Sequence, residues 1–132
     1  MNFLYILLVV IGLFVSLVVF MRVFVYYKSS AMKGKEVPEI GGKAGKFVSR
    51  GGNALFYFYS PGCGACKAMT PVVIELSKNT EGVFPVDISK EMATAKKLGV
   101  MATPTIVVIK NKIVDKIVMG PQPAHRIKEL LS

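Results

Sequence analysis

The sequence predicts an α/β domain, a central mixed sheet flanked by helices, carried behind an N-terminal transmembrane helix. Three observations lead there. Residues 3–21 (FLYILLVVIGLFVSLVVFM) hold no charge, and the rest of the chain alternates strand-like and helix-like runs. Both cysteines stand in one C-x-x-C, Cys63-Gly64-Ala65-Cys66, where a strand-like run gives way to a helix-like one.

The charge-free run comes first. Nineteen helical residues at about 1.5 Å each cover about 28 Å, close to the hydrocarbon thickness of a bilayer. Apolar residues continue past Arg22 to Tyr27, so Arg22 would snorkel while Tyr26 and Tyr27 sit at the interface. Residues 1–27 are therefore read as a transmembrane anchor, with the lipid bilayer as partner through residues 3–27. A cleaved signal peptide is the competing reading, with small residues Ser29-Ser30-Ala31 as a cleavage site. Against it, the basic n-region is missing and the apolar run outlasts a signal core. A buried soluble helix does not fit a stretch that is apolar all round.

The chain carries 17 Lys and Arg against 8 Asp and Glu, for a net charge of +9. All 17 lie at or beyond Arg22. In residues 22–50, seven of them (Arg22, Lys28, Lys33, Lys35, Lys43, Lys46, Arg50) face only Glu36 and Glu39. The positive-inside rule then places the following domain in the cytoplasm of a single-pass protein; a periplasmic or other extracytoplasmic domain is the alternative. The same basic stretch suits anionic lipid head groups. Nucleic acid is not expected as a partner, because no aromatic-basic recognition motif accompanies the charge.

Residues 28–46 (KSSAMKGKEVPEIGGKAGK) are rich in Gly, Lys and Ser and read as a basic flexible linker. A compact domain is expected over 47–132. Its first element is Ala54–Tyr59, an aromatic run that reads as a buried central strand. Ser60-Pro61-Gly62 is a turn signal. Residues 64–78 read as a helix, with Cys66, Met69, Val73 and Leu76 at helical spacing and Pro71 kinking it. Val83–Ile88 reads as a second strand ending at Asp87, and Lys90–Leu98 as a short helix closed by Gly99. Thr105–Ile109 and Ile113–Met119 read as strands, and so short a link through Lys110-Asn111-Lys112 makes them an antiparallel hairpin. Pro121 and Pro123 open a last helix with Ile127, Leu130 and Leu131 on its apolar face. A crossover helix between the first two strands makes them parallel, with helices on both faces of the sheet.

A C-x-x-C without other cysteines, at a strand–helix junction, points to thiol–disulfide exchange. The thiolate is the nucleophile, and the partial positive charge of a helix start favours it at Cys63. Cys66, one turn on and more buried, is placed to resolve a mixed disulfide formed at Cys63. Lys67 adds local positive charge or is simply a solvated surface lysine.

The strand-Cys-x-x-Cys-Lys-helix unit, Pro71 five residues after Cys66, and Thr103-Pro104-Thr105 before a strand together resemble the thioredoxin family over residues 53–132. The resemblance implies a thioredoxin-like fold and a C-G-A-C redox site, with Cys63 as nucleophile and Cys66 as resolving cysteine. It implies a cis Pro104 facing the cysteine pair and Thr103 backbone that pairs with an extended substrate. Gly62 beside the pair and Gly120 after the last strand join these as substrate-binding residues. Protein thiols and disulfides are the implied partners, fed by an upstream thiol reductase or a membrane electron donor, with no cofactor and no metal. The first strand and helix of the family look truncated, with only residues 43–52 available.

The chain departs from that family at several points. Gly62 replaces a tryptophan before the first cysteine, and Ala65 replaces a proline between the two. The family's buried acid maps onto Tyr57 and its lysine partner onto Pro85, which leaves the deprotonation of Cys66 without a named base. Asp87 is expected to be structural. Without a histidine between the cysteines, the pair is read as a reductant or electron carrier rather than an oxidant. Two other readings stand beside the oxidoreductase: a redox-silent interaction module at the membrane, and a metal-binding module. The second has only His125 as a further typical ligand where a closed zinc site wants four. The seven methionines (Met1, Met21, Met32, Met69, Met92, Met101, Met119) are read as core and membrane filler, with Met101 a candidate for the substrate groove.

Overall fold

The computed structural model describes residues 2–132, apart from the Ser29 side chain. Met1 and that side chain, part of the Ser29-Ser30-Ala31 reading, lie outside the described residues. A 28-residue helix α1 (Phe3–Ser30) comes first, about 42 Å long at the usual rise. Its Phe3–Lys28 stretch is long and apolar enough to cross a membrane, and no residue of its most apolar window is buried. α2 (Gly42–Ser49), β1 (Ala54–Tyr59), α3 (Met69–Asn79), β2 (Val83–Asp87), α4 (Met92–Lys97), β3 (Thr105–Lys110), β4 (Ile113–Met119) and α5 (Ala124–Leu131) follow.

The sheet order is β2-β1-β3-β4. β1 and β2 run parallel, β1–β3 and β3–β4 antiparallel. The hairpin between β3 and β4 turns on Asn111 and Lys112, whose φ values of 52° and 64° are the left-handed pair of a tight type I′ turn. Alternation along β1 divides the core. Phe56 and Phe58 face a cluster with Val86, Val107 and Val114 that α2 and α4 cover through Val48 and Ala95. Leu55 and Tyr57 face a cluster with Ile106 and Val108 that α3 and α5 cover through Val73 and Ile127. The sheet is thus mixed and flanked by helices on both sides.

Two expectations fail. Residues 28–46 are not a loose tether. The Gly34 N–H donates to the Val114 carbonyl (2.8 Å), Val114 N–H to the Lys35 carbonyl (3.0 Å) and Val37 N–H to the Lys112 carbonyl (2.9 Å), so the segment docks on β4. Met32 and Val37 pack on the core, Ile40 is buried, and α2 already begins at Gly42. The packed unit therefore begins well before residue 47. Composition hid this because three well-placed apolar residues among lysines and glycines are enough to anchor a strand edge.

The second failure is the single helix over 64–78. A 3-10 turn covers Gly64–Cys66, and α3 starts only at Met69. Pro71 sits in the first turn of α3, where a missing N–H costs little, and kinks nothing. Without a Pro71 N–H the Lys67 carbonyl lacks its α-helical donor, so the break falls before the proline.

Candidate functional site

The site lies at the C-terminal end of β1, where Tyr59 and Ser60 lead into the cysteine turn. The Cys63 N–H donates to the Ser60 carbonyl (3.1 Å) and the Cys66 N–H to the Cys63 carbonyl (3.2 Å). Cys63 is extended (φ −81°, ψ 107°), and the 3-10 turn starts directly after it. The two cysteines are joined as a disulfide with Cα atoms 5.3 Å apart. Cys63 is half-buried and Cys66 is 1% exposed, so of the two only Cys63 is open to a macromolecular partner.

Beneath Cys66 lies a hydroxyl network. Tyr57, fully buried on β1, has its hydroxyl 3.0 Å from Thr70 Oγ1 and 3.4 Å from the Cys66 carbonyl, which also accepts from Thr70 Oγ1 at 2.8 Å. Burial pushes the Tyr57 phenol above its ordinary value; the Thr70 hydrogen bond opposes that, and Tyr59 adds to it. The position that holds a carboxylate in the resembled family is thus a neutral hydroxyl here. Thr70 was missed, although its place four residues after Cys66 is the spacing for a threonine that bonds back to a carbonyl.

The second wall of the site is the loop into β3. The Thr103–Pro104 peptide bond is cis; Thr103 is half-buried and Pro104 buried. The Thr105 hydroxyl donates to the Ala102 carbonyl at 2.7 Å. Gly120, at φ +88°, donates its N–H to the Pro104 carbonyl at 2.9 Å, a conformation glycine adopts without penalty. The Gln122 N–H reaches Met69 Sδ at 3.2 Å, tying this loop to the start of α3. Phe58 on β1 faces Thr105 on β3, and Thr105 faces Met119 on β4, so the three loops share one end of the sheet. Gly62 is exposed, with open space where a side chain would be.

The remaining candidates take no part in these hydrogen bonds. Asp87 ends β2, and its carboxylate accepts from the Ser89 N–H (2.9 Å) and hydroxyl (2.6 Å), which holds it below the usual carboxylate range. It is committed to its own turn. His125 and Lys67 are exposed, as is Met101 at the rim. Among the described residues no group of three or more His, Cys, Asp or Glu side chains is arranged to hold a metal ion.

The thioredoxin family model matches residues 45–132. Thioredoxins of Staphylococcus aureus and Bacillus subtilis are 38% and 33% identical over 84 residues, 61% of this chain and about four-fifths of theirs (80% and 81%). A mutant thioredoxin of Halobacterium salinarum superposes with a TM-score of 0.58 at 29% identity, over 69% of this chain and 83% of that one. With a half-buried Cys63 backed by a buried Cys66 inside this match, the family model and these relatives show that the chain belongs to the thioredoxin family of thiol–disulfide oxidoreductases.

Proposed function

We propose that this chain is a membrane-tethered member of that family that passes electrons to protein disulfides, working as reductant or electron carrier. The unequal exposure of Cys63 and Cys66 is the observation that carries the reading. In the reduced form the Cys63 thiolate attacks one sulfur of a substrate disulfide. That bond breaks, a Cys63–substrate disulfide forms, and the displaced sulfur takes up a proton. The Cys66 thiolate then attacks Cys63 Sγ, closing the Cys63–Cys66 bond and releasing the second substrate thiol after protonation. Two electrons and two protons leave the chain, and an upstream dithiol or membrane donor must restore them.

Thr103, Pro104, Gly62 and Gly120 form the substrate surface in this reading. The apolar, lipid-accessible α1 supports the tether, and the basic residues after Met21 support a cytoplasmic domain. The absence of a histidine between the cysteines supports the reducing direction. The test is reduction of a disulfide-bonded protein by the pre-reduced full-length chain, with one substrate bond lost per Cys63–Cys66 bond formed. No reversible interconversion of the pair sinks the reading. A membrane-impermeant thiol reagent applied to intact cells checks the topology: rapid labelling of Cys63 overturns the cytoplasmic placement.

A further inference from the structure

The docked tether constrains where the redox site can go. The end of α1 is held against the domain: a side chain added at Gly99 would meet Met32 Cγ at 2.9 Å and the Lys28 carbonyl at 3.9 Å. Residues 34–37 then bond to Lys112 and Val114, at the start of β4. Earlier in α1, Leu17, Met21, Arg22 and Val25 line one wall of a mostly apolar cleft of about 750 Å³, and Ala102, Met119 and Gly120 form the other. Met119 ends β4, so the cleft lies at the redox end of the strand, while the residues after α1 reach its far end. The first half of the helix, residues 3–16, about 21 Å at the usual rise, leads away from the redox end.

For a helix that spans a bilayer from Phe3 to Arg22, the cleft lies at the hydrocarbon boundary, and the redox end of the sheet meets the membrane surface. The surface chemistry agrees. In a chain with 17 basic and 8 acidic residues, the loops 60–66, 100–104 and 119–123 carry no charge. The nearby charges are Arg22, at the α1 rim of the cleft where the span ends, Lys67 and, at the β2 edge farthest from β4, Asp87, Lys90 and Glu91.

We infer that the disulfide reduced by Cys63 and Cys66 is carried at the bilayer surface by an integral membrane protein, whose apolar span ends in the cleft between α1 and the Ala102–Gly120 wall. This rests on the reading of the pair as a reductant and of α1 as a membrane span. A lipid chain fits the same cleft but holds no disulfide, whereas Ala102 and Gly120 flank Thr103 and contact Pro104 at the redox site itself. The exchange is the one written above, with the substrate sulfurs at the interface.

The test is a competition in phosphatidylcholine vesicles containing the full-length Cys66→Ser chain and two single-span peptides. One peptide carries a C-x-x-C disulfide at the end of its span. The other carries it on a helical spacer of about 20 residues, roughly 30 Å above the membrane. Both are co-reconstituted at pH 5, where thiols are protonated and exchange is slow, and started by a jump to pH 7.5. Because both peptides share the bilayer, confinement alone favours neither. The interfacial peptide is expected to form the mixed disulfide with Cys63 about tenfold more often, the gain of a raised local concentration at the site. Ala102→Lys, which puts a charge on the cleft wall beside Thr103, opposite the one at Arg22, is expected to bring that ratio towards one, with an unchanged melting temperature reporting an intact fold. A ratio near one without that substitution, or a ratio that Ala102→Lys leaves untouched, overturns the inference. A mixed disulfide with neither peptide nor a soluble disulfide protein overturns the oxidoreductase reading instead.

Discussion

The Tyr57 hydroxyl and Thr70 Oγ1 meet 3.0 Å apart beneath the buried cysteine, and both reach the Cys66 carbonyl. The contact binds the central strand β1 to the first turn of α3 and fixes the backbone of Cys66 from below. It occupies the position where the resembled family carries a charge, with a group that stays neutral when buried. Whatever takes the proton from Cys66, the Tyr57 phenol is a donor at physiological pH.

Tyr57→Phe removes that donor while keeping the ring. We expect a loss of about 1 kcal/mol of stability at pH 7 by denaturant unfolding, the usual worth of a buried hydrogen bond. The phenol is raised above its ordinary 10.0 in the folded chain, so it keeps its proton when the unfolded phenol has lost it. Its stabilisation is complete below pH 10 and is lost as pH rises above it. The Tyr57→Phe variant should therefore lose less stability than the parent between pH 9 and 11; an equal loss would show that Tyr57 is not the titrating group.

Cys63→Ser should abolish disulfide reduction outright. Cys66→Ser should retain the first attack and accumulate mixed disulfides, visible as thiol-sensitive adducts by mass spectrometry. Multiple turnover by the Cys66→Ser chain with a dithiol donor would show that the roles are reversed or unnecessary.

Asp87 is held ionised chiefly by Ser89. Its folded value is depressed, so its stabilisation is present above the ordinary carboxylate range and lost as pH falls through the folded value. Asp87→Asn should flatten the acid limb of the stability profile. Single-turnover exchange should stay within about twofold, the scale of a surface substitution. A large drop in exchange would make Asp87 part of the proton path.

Gly99 has φ +69° and faces Met32. Gly99→Ala should cost about 1–2 kcal/mol from the left-handed backbone alone, and should release residues 31–41 to limited proteolysis. If the parent chain is cut there as readily as the variant, the docked segment is not held in solution.

Much of the domain was legible because its signals are local. The aromatic run of β1, the turn residues Asn111 and Lys112, the cap Gly99 and the apolar face of α5 each depend on neighbours a few residues away. β1, β3, β4 and the last helix appear at their expected places. The docking of residues 34–37 and the helix α2 were not legible, because their partners are distant in the chain: the Lys97 ammonium donates to the Glu39 carbonyl across 58 residues. The break before α3 was half legible, since Pro71 announced a fault but not its position.

The sequence by itself determined a charge-free span of bilayer length, an exchangeable cysteine pair at a strand–helix junction and the mixed character of the sheet. These follow from charge, period and turn chemistry, which act over short stretches. Only the tertiary structure decided that Tyr57 and Thr70 support Cys66, and that the segment after α1 is fastened to β4. Burial and edge pairing are set by which distant surfaces meet, and a residue's neighbours in the chain do not record them.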